Sequence, residues 1–504
     1  MCGERRLSYR ELDERATRLA HALHVEPGTH VGLQLYDSTE HVECMLACFK
    51  ARAVPVNVNW RYVEDELRHL LADAGVHVLI HEPEFEALAD RAVARGPVYE
   101  SLVASGSPER DFGQRSPEDR YILYTGGTTG LPKGVVWRQE DIFFAVLGGG
   151  NPGGPPISAP DEIARNVIER PALRLQSFLP AGDPGPSQFV QLALGPLMHA
   201  SGQWSALTVL LGGGKVVLYP HRQMSMARVL QLIERESITS LNLVGDVHGV
   251  PLVEELRRSK GRYDTSSLRL LGSGGTALSA SVKEELLSLL PSLLAISEAV
   301  GSSEAPVEAA SVTTRDGNTP PSLRFNARPE TAVLDEGLRP IAPGSGAVGR
   351  VAVRGRVPVG YYNDPEKSAR TFVEIDGVRW SLPGDMATVD ADGGIRLLGR
   401  GSLCINTGGE KVFPEEVEGV LRSQPAVTDA LVVGRPDPKY GEQVAAVVQP
   451  SDGAEPPSLA DLQAHCRSHL AGYKLPRHLR LVERIERSPA GKPDYRWAKQ
   501  VAGG

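Results

Sequence analysis

The eleven residues Tyr124-Thr125-Gly126-Gly127-Thr128-Thr129-Gly130-Leu131-Pro132-Lys133-Gly134 hold four glycines, three threonines and one lysine. They follow the apolar run Tyr121-Ile122-Leu123. A strand that ends in such a loop offers backbone N–H groups, hydroxyls and a cation to a polyphosphate. The pattern is not the Walker loop, because Pro132 stands where that motif needs a glycine before the lysine. Two other patterns carry no such chemistry. Gly344-Ser345-Gly346-Ala347-Val348-Gly349 fits G-x-G-x-x-G, but it follows Pro343 and leads into a strand, so it reads as a tight turn. His465, Cys466 and His469 share a helix with no fourth ligand in sight, and Cys44 and Cys48 read as small buried residues one helical turn apart.

Positioning that loop takes more than one core, and 504 residues are enough for two or three domains. A composition of 41% hydrophobic and 23% charged residues reads as globular. The net charge of −8, without a long basic run, gives no support for nucleic-acid binding. No apolar stretch approaches bilayer length, and the N-terminus lacks the apolar core of a signal peptide. Together with the odd number of cysteines, this predicts a reducing cytoplasm as the home.

Ser8-x-x-Glu11 is a capping box, followed by Leu12, Ala16, Leu19, Ala20 and Leu23 on one helical face. Strands Val31–Leu35, Val54–Val58 and Val76–Ile80 then alternate with helices His41–Ala53 and Glu64–Ala74. The alternation resumes with strands Val216–Tyr219, Ile238–Leu243 and Leu268–Leu271, and helices Met226–Glu236 and Ser279–Leu290. Gly148–Pro160 reads as a mobile loop and Ser311–Arg328 as weakly patterned. The fold class is α/β. A large N-terminal domain of layered α/β subdomains with a β-rich part after Pro329 precedes a small mobile α+β C-terminal domain. The expected division is 1–399 and 400–504.

The loop resembles the phosphate loop of adenylate-forming enzymes, the superfamily of acyl-CoA synthetases, luciferases and peptide-synthetase adenylation domains. Further segments fall in that family's order: Leu271-Gly272-Ser273-Gly274-Gly275-Thr276-Ala277, Val300-Gly301-Ser302-Ser303-Glu304, Trp380-Ser381-Leu382-Pro383-Gly384-Asp385, Leu398-Gly399-Arg400 and Ser488-Pro489-Ala490-Gly491-Lys492. The resemblance covers essentially the whole chain and is nearest to actinobacterial long-chain and steroid side-chain acyl-CoA synthetases. It implies that Thr125, Gly126, Gly127, Thr128, Thr129, Gly130 and Lys133 grip the phosphates of ATP. Gly274, Gly275 and Thr276 would meet adenine, with Gly301 and Ser303 beside them. Glu304, with Thr128, would hold Mg2+; Asp385 would receive the ribose hydroxyls and Arg400 would support the nucleotide. Lys492 would be the catalytic cation of adenylation, beside Glu304 and Thr128. His199, Val300, Gly301 and Ala305 would border the acid pocket. Gly408, Gly409, Glu410 and Lys411 would line the tunnel for CoA after rotation about the hinge Gly401-Ser402.

Three departures stand out. The chain starts almost at its first capped helix. Ala305-Pro306-Val307-Glu308 replaces the Thr-Gly-rich continuation after the metal glutamate. Pro184–Phe189, beside the pocket, looks unlike the subgroup. The expected function is an ATP-dependent acid–CoA ligase that forms an acyl adenylate and passes it to CoA; the altered pocket stretches also suggest a biosynthetic-pathway member acting on an aromatic or other small acid. The alternative is an adenylating enzyme with another second substrate, such as a diazotase that activates nitrite for an aromatic amine. A non-catalytic nucleotide binder is the third reading; it leaves Lys492 without a purpose.

Overall fold

The computed structural model describes residues 1–62, 64–85, 91–127, 130–151, 154–159, 161–169, 179, 185–315, 317, 323–407, 410–437, 440–487 and 492–503. The side chains of residues 126, 127, 130, 131, 150, 167–169, 402 and 411 are outside that description.

Three sheets organise the chain. The first has seven strands, in the order Gly360–Tyr361, Gly130–Arg138, Arg120–Gly127, Val54–Asn57, His30–Gln34, Val78–His81, Arg91–Ala94. Its last five strands in that order run parallel to one another, while the first three form an antiparallel set. The inner strands are buried along their length, which suits a parallel sheet covered on both faces by helices. The second sheet has thirteen strands. Lys215–Leu218, Val190–Ala193, Ser240–Leu243, Leu270–Gly274 and Ala295–Val300 are parallel. From Ala309–Thr314 onward the sheet continues antiparallel through Ile395–Arg400 and Asp385–Val389. The third sheet, of five strands between Ile405 and Leu481, belongs to the small C-terminal domain.

The local signals explain the helices. Ser8 accepts from the Glu11 N–H, and Glu11 accepts from the Ser8 N–H, so the capping box starts Tyr9–Ala22. Met226–Glu236 buries Val229, Leu230 and Ile233 against the second sheet, a spacing that keeps one face in the core. The expected helix His41–Ala53 starts two residues earlier, at Thr39, because Ser38 caps it, and it ends at Lys50.

Some expectations change. The phosphate segment does more than end a strand: it is part of the hairpin Arg120–Gly127/Gly130–Arg138, and Lys133 lies on its second strand opposite Thr125. The helix expected over Ser279–Leu290 spans Ala280–Leu289, and two residues separate it from Gly274–Ala277. The weakly patterned stretch 311–328 contains two strands, Ala309–Thr314 and Arg324–Ala327; buried Ser311 and Thr313 mask the apolar alternation. Gly148–Pro160, expected to be mobile, contains a 3-10 turn at Gly148–Gly150, and Asn151 Nδ2 donates to the Pro155 carbonyl at 2.8 Å. Cys44 and Cys48 are fully buried in the core of the first sheet. Among the described residues no helix is long and apolar enough to cross a membrane.

Candidate active site

The hairpin is held at its entry by one amide. Asn57 Nδ2 donates to the Tyr124 carbonyl at 2.9 Å and to the Met198 carbonyl at 2.7 Å, while Asn57 Oδ1 accepts from the Tyr124 N–H at 2.7 Å. This joins the hairpin to the segment that carries His199. Gly134 is required by contact, since a Cβ there would meet the Tyr124 ring at 2.8 Å. Thr128 and Thr129 lie outside the described residues. Lys133 Nζ sits 4.0 Å from Asp364 Oδ2. Beside it stands a second cation, Lys367, whose Nζ lies 4.1 Å from the centre of the Tyr361 ring. Burial, then the neighbouring Lys133, pushes the Lys367 ammonium down to about 8.

Glu304 stands on the tight turn that follows the strand Ala295–Val300. Tyr361 O–H donates to Glu304 Oε1 at 2.7 Å, and Ser381 Oγ donates to the Glu304 carbonyl at 2.8 Å. Trp137, fully buried, donates from Nε1 to the Ser303 carbonyl at 3.0 Å. The turn closes on itself: Ser302 N–H donates to the Ala305 carbonyl at 2.8 Å, and Ala305 N–H to Ser302 Oγ at 3.1 Å. A Cβ on Gly301 would lie 2.2 Å from the Pro306 carbonyl oxygen, so this turn needs a glycine there. Across from it, Asp385 and Arg400 are antiparallel partners, with Arg400 Nε 3.0 Å from Asp385 Oδ1. Burial pushes the Asp385 carboxyl up, Arg400 pulls it down, and Glu304 adds to the rise.

Lys492 reaches this group from the C-terminal domain. Water reaches its side chain, yet enough protein surrounds the ammonium for burial to lower its pKa. Arg400 lowers it further, and Glu304 and Asp385 act in the opposite sense. One lysine thus lies within electrostatic reach of Glu304, Asp385 and Arg400, which are far from it in sequence. Residues 488–491 before it are outside the described set.

The family described as AMP-binding enzyme matches residues 1–362, and the AMP-binding enzyme C-terminal domain matches residues 416–492. The chain belongs to the AMP-binding enzyme family. Among its relatives is the 3-oxocholest-4-en-26-oate–CoA ligase of Rhodococcus rhodochrous, 41% identical over 99% of this chain and 92% of the relative. A medium/long-chain-fatty-acid–CoA/3-oxocholest-4-en-26-oate–CoA ligase of Mycobacterium tuberculosis is 42% identical over the same shares. In fold, the chain matches an anthranilate CoA ligase in complex with anthranoyl-AMP, with a TM-score of 0.82, 23% identity, and coverage of 100% of this chain and 93% of the other.

Gly274 ends its strand, Gly275 takes φ +89°, and Thr276 Oγ1 is buried with no hydrogen-bond partner among the described residues. His199 precedes the helix Ala200–Leu211, and its Nε2 is likewise buried without a partner there. Burial, then Lys492 and Arg61, pushes the His199 imidazole down to about 4, so it is neutral at pH 7. Val300 and Gly301 keep exposure; Ala305 is fully buried. Gly401 N–H donates to the Gly384 carbonyl at 3.0 Å, which ties Gly401 to the residue before Asp385. Glu410 and Lys411 stand on the short strand Glu410–Val412, paired with Thr407 and Asn406. Gly408 and Gly409 lie outside the described residues, and no described contact joins Glu410 to the Glu304 group.

Sequence reasoning missed Lys367, Tyr361, Trp137 and Ser381. A signal for the first two exists: Gly360-Tyr361 precedes Asp364-Pro365, a helix start in which Asp364 accepts from the Lys367 N–H at 3.0 Å. It also missed Glu415. Its Oε1 accepts from the Arg400 N–H at 3.4 Å, and burial, then Glu418, pushes it up to about 8.

Proposed function

We propose that this chain is an ATP-dependent acyl-CoA ligase acting on a hydrophobic carboxylic acid in the cytoplasm. The observation that carries the reading is Lys492 within reach of Glu304, Asp385 and Arg400, in a family whose relatives here are acid–CoA ligases. Lys133, Lys367 and the hairpin amides, with Thr125, Gly126, Gly127, Thr128, Thr129 and Gly130, take the ATP phosphates. Gly274, Gly275 and Thr276 take adenine, with Gly301 and Ser303 beside them, and the orphaned Thr276 Oγ1 fits a polar ligand. Asp385 accepts from the ribose hydroxyls and Arg400 holds Asp385.

The donor set also fits a hard cation, because the Glu304 carboxylate, oriented by Tyr361, supplies the oxygen donor such a cation takes. Glu304, with Thr128, would hold Mg2+, which supplies charge neutralisation between phosphates when bound. A substrate carboxylate oxygen attacks the α-phosphorus, the bond to pyrophosphate breaks, and Lys492 stabilises the negative charge that builds on the phosphoryl oxygens. His199, Val300 and Gly301 border the acid, while Ala305, expected to join them, is fully buried and backs Gly301. Residues 400–504 then turn as a lid about Gly401-Ser402 on residues 1–399. The CoA thiolate, guided by Gly408, Gly409, Glu410 and Lys411, attacks the acyl carbonyl and AMP leaves.

The test is product analysis by mass spectrometry with ATP, Mg2+, CoA and a panel of fatty, steroid side-chain and aryl acids. Thioester and AMP in equal amounts are expected. Adenylate formation with every active acid and thioester with none would overturn the ligase reading. The nitrite-and-arylamine reading gains no support from these relatives.

A further inference from the structure

One acid in this region has no role in the scheme above. Glu308 is fully buried where the strand Ala309–Thr314 begins. Its backbone is pinned: the N–H donates to the Val300 carbonyl at 2.8 Å, and its carbonyl accepts from Thr331 Oγ1 at 2.6 Å. Neither carboxylate oxygen of Glu308 receives a hydrogen bond from a described donor. Of the charged groups around it, the carboxylate of Asp385 acts on it most strongly.

Glu308 is fully buried and Asp385 half-buried; two such neighbouring carboxylates do not both ionise freely, and one proton between them turns repulsion into a hydrogen bond. Arg400 bonds Asp385 and stabilises its charge, so the proton belongs on Glu308. Burial, with the charges of Asp385 and Glu304, holds the Glu308 carboxyl well above the ordinary carboxylate range, while Arg400 opposes them. Lys492 and Glu415 complete the charged surroundings of Asp385 and Arg400. A carboxylate has about four acceptor positions. Arg400 Nε and a Glu308 O–H would fill two and fix the plane of Asp385, leaving the others for two ligand hydroxyls.

We propose that Glu308 is a positioning residue of the nucleotide site: its protonated carboxyl donates to Asp385 and, with Arg400, holds that carboxylate in place for the ribose hydroxyls. This rests on the ribose role given to Asp385 above. The Ala305–Glu308 departure from the family pattern then serves the nucleotide rather than the acid.

The test is calorimetric binding of AMP and of 2′,3′-dideoxy-AMP to the full-length protein and to Glu308→Gln, Glu308→Met and Asp385→Asn. Glu308→Met weakens AMP binding about tenfold and leaves dideoxy-AMP within about twofold, because only the hydroxyl-bearing ligand uses Asp385. Glu308→Gln, whose amide N–H still donates, keeps both ligands within about threefold of wild type. As pH rises, wild-type AMP affinity falls as Glu308 loses its proton, whereas Glu308→Gln shows no such fall. Equal weakening of both ligands in Glu308→Met, or Glu308→Gln as weak as Glu308→Met, overturns the proposal while leaving the ribose role intact. Asp385→Asn that binds AMP as wild type does removes the ribose role itself, and with it the basis for Glu308. Should Glu308→Met not fold, the pH profiles decide alone: identical profiles for wild type and Glu308→Gln overturn the proposal.

Discussion

Replacing Lys492 with alanine separates the two half-reactions. The lysine ammonium shares its surroundings with Arg400, Glu304 and Asp385, and the proposed mechanism puts it where charge builds during attack on the α-phosphate. Two unit charges about 4 Å apart at an effective dielectric of about 20 interact by about 4 kcal/mol. Because water reaches Lys492, that is an upper figure. Loss of one preorganised donor at a developing oxyanion typically costs about 3 to 4 kcal/mol, or about a hundred- to a thousandfold in rate. Lys492→Ala therefore slows acid-dependent pyrophosphate release by about that factor. The second step, followed as thioester formation from preformed acyl adenylate and CoA, stays within about threefold, because Lys492 is not used there. Burial and Arg400 lower the Lys492 pKa, so wild-type adenylation declines on the alkaline side at a lower pH than an ordinary lysine would impose. Pyrophosphate release by Lys492→Ala within about threefold of wild type would refute the assignment.

Lys367→Met raises the KM for ATP about fivefold at pH 7, since it removes a cation beside Lys133. The wild-type KM rises as pH passes about 8 and Lys367 loses its charge, while the variant's does not; initial rates at pH 7 and 9 check both. At Gly399 the backbone takes φ +113°, and an added Cβ would lie 2.0 Å from Glu415 Oε2. Gly399→Ala thus carries a strain of about 1 to 3 kcal/mol plus an overlap that displaces Glu415, and it slows adenylation about tenfold or more in the pyrophosphate assay. Burial raises Glu415 from an ordinary 4.5 to about 8, so its contribution to stability is complete below 4.5 and is lost as pH rises through 8. The unfolding midpoint of wild type therefore falls across that window more steeply than that of Glu415→Gln, as thermal scans from pH 5 to about 9 will show.

What the sequence makes legible are features written in neighbouring residues. The Ser8/Glu11 capping box, the apolar face of Met226–Glu236 and the glycine-threonine run before Lys133 each depend on spacings of a few positions. Pairing between distant strands leaves no such trace. Gly360 and Tyr361 join the edge of the hairpin opposite Val136 and Val135, and this brings the Tyr361 hydroxyl to Glu304 and Lys367 to Lys133. Ser381 reaches Glu304 from a strand that pairs with Phe372 and Val353, and Trp137 reaches Ser303 from the far strand of the hairpin. Their sequences read only as apolar or half-polar strand residues. The phosphate segment reads as a loop for a related reason: hairpin pairing through Thr125 and Lys133 is set by register, which glycine-rich composition conceals.

The turn from Val300 to Glu308 limits where acid selectivity can arise. Ala305 is fully buried and closed onto Ser302, so it presents no surface to a substrate. Pro306 backs Gly301 so closely that any side chain on Gly301 would displace the proline carbonyl. Moving that carbonyl also moves Glu304, which lies between Ser302 and Ala305 and is held by Tyr361 and Ser381. A change in the turn therefore reaches the phosphates and the acid together. Val300 and Gly301 keep exposure, and His199 lies within reach of Lys492. On the proposed function, substitutions at Val300 and His199 alter the acid pocket while Glu304 keeps its bonds to Tyr361 and Ser381, and substitutions at Ala305 or Pro306 act first on Glu304. The departure from the family pattern after Glu304 is thus better placed to change how the nucleotide is held than which acid is chosen.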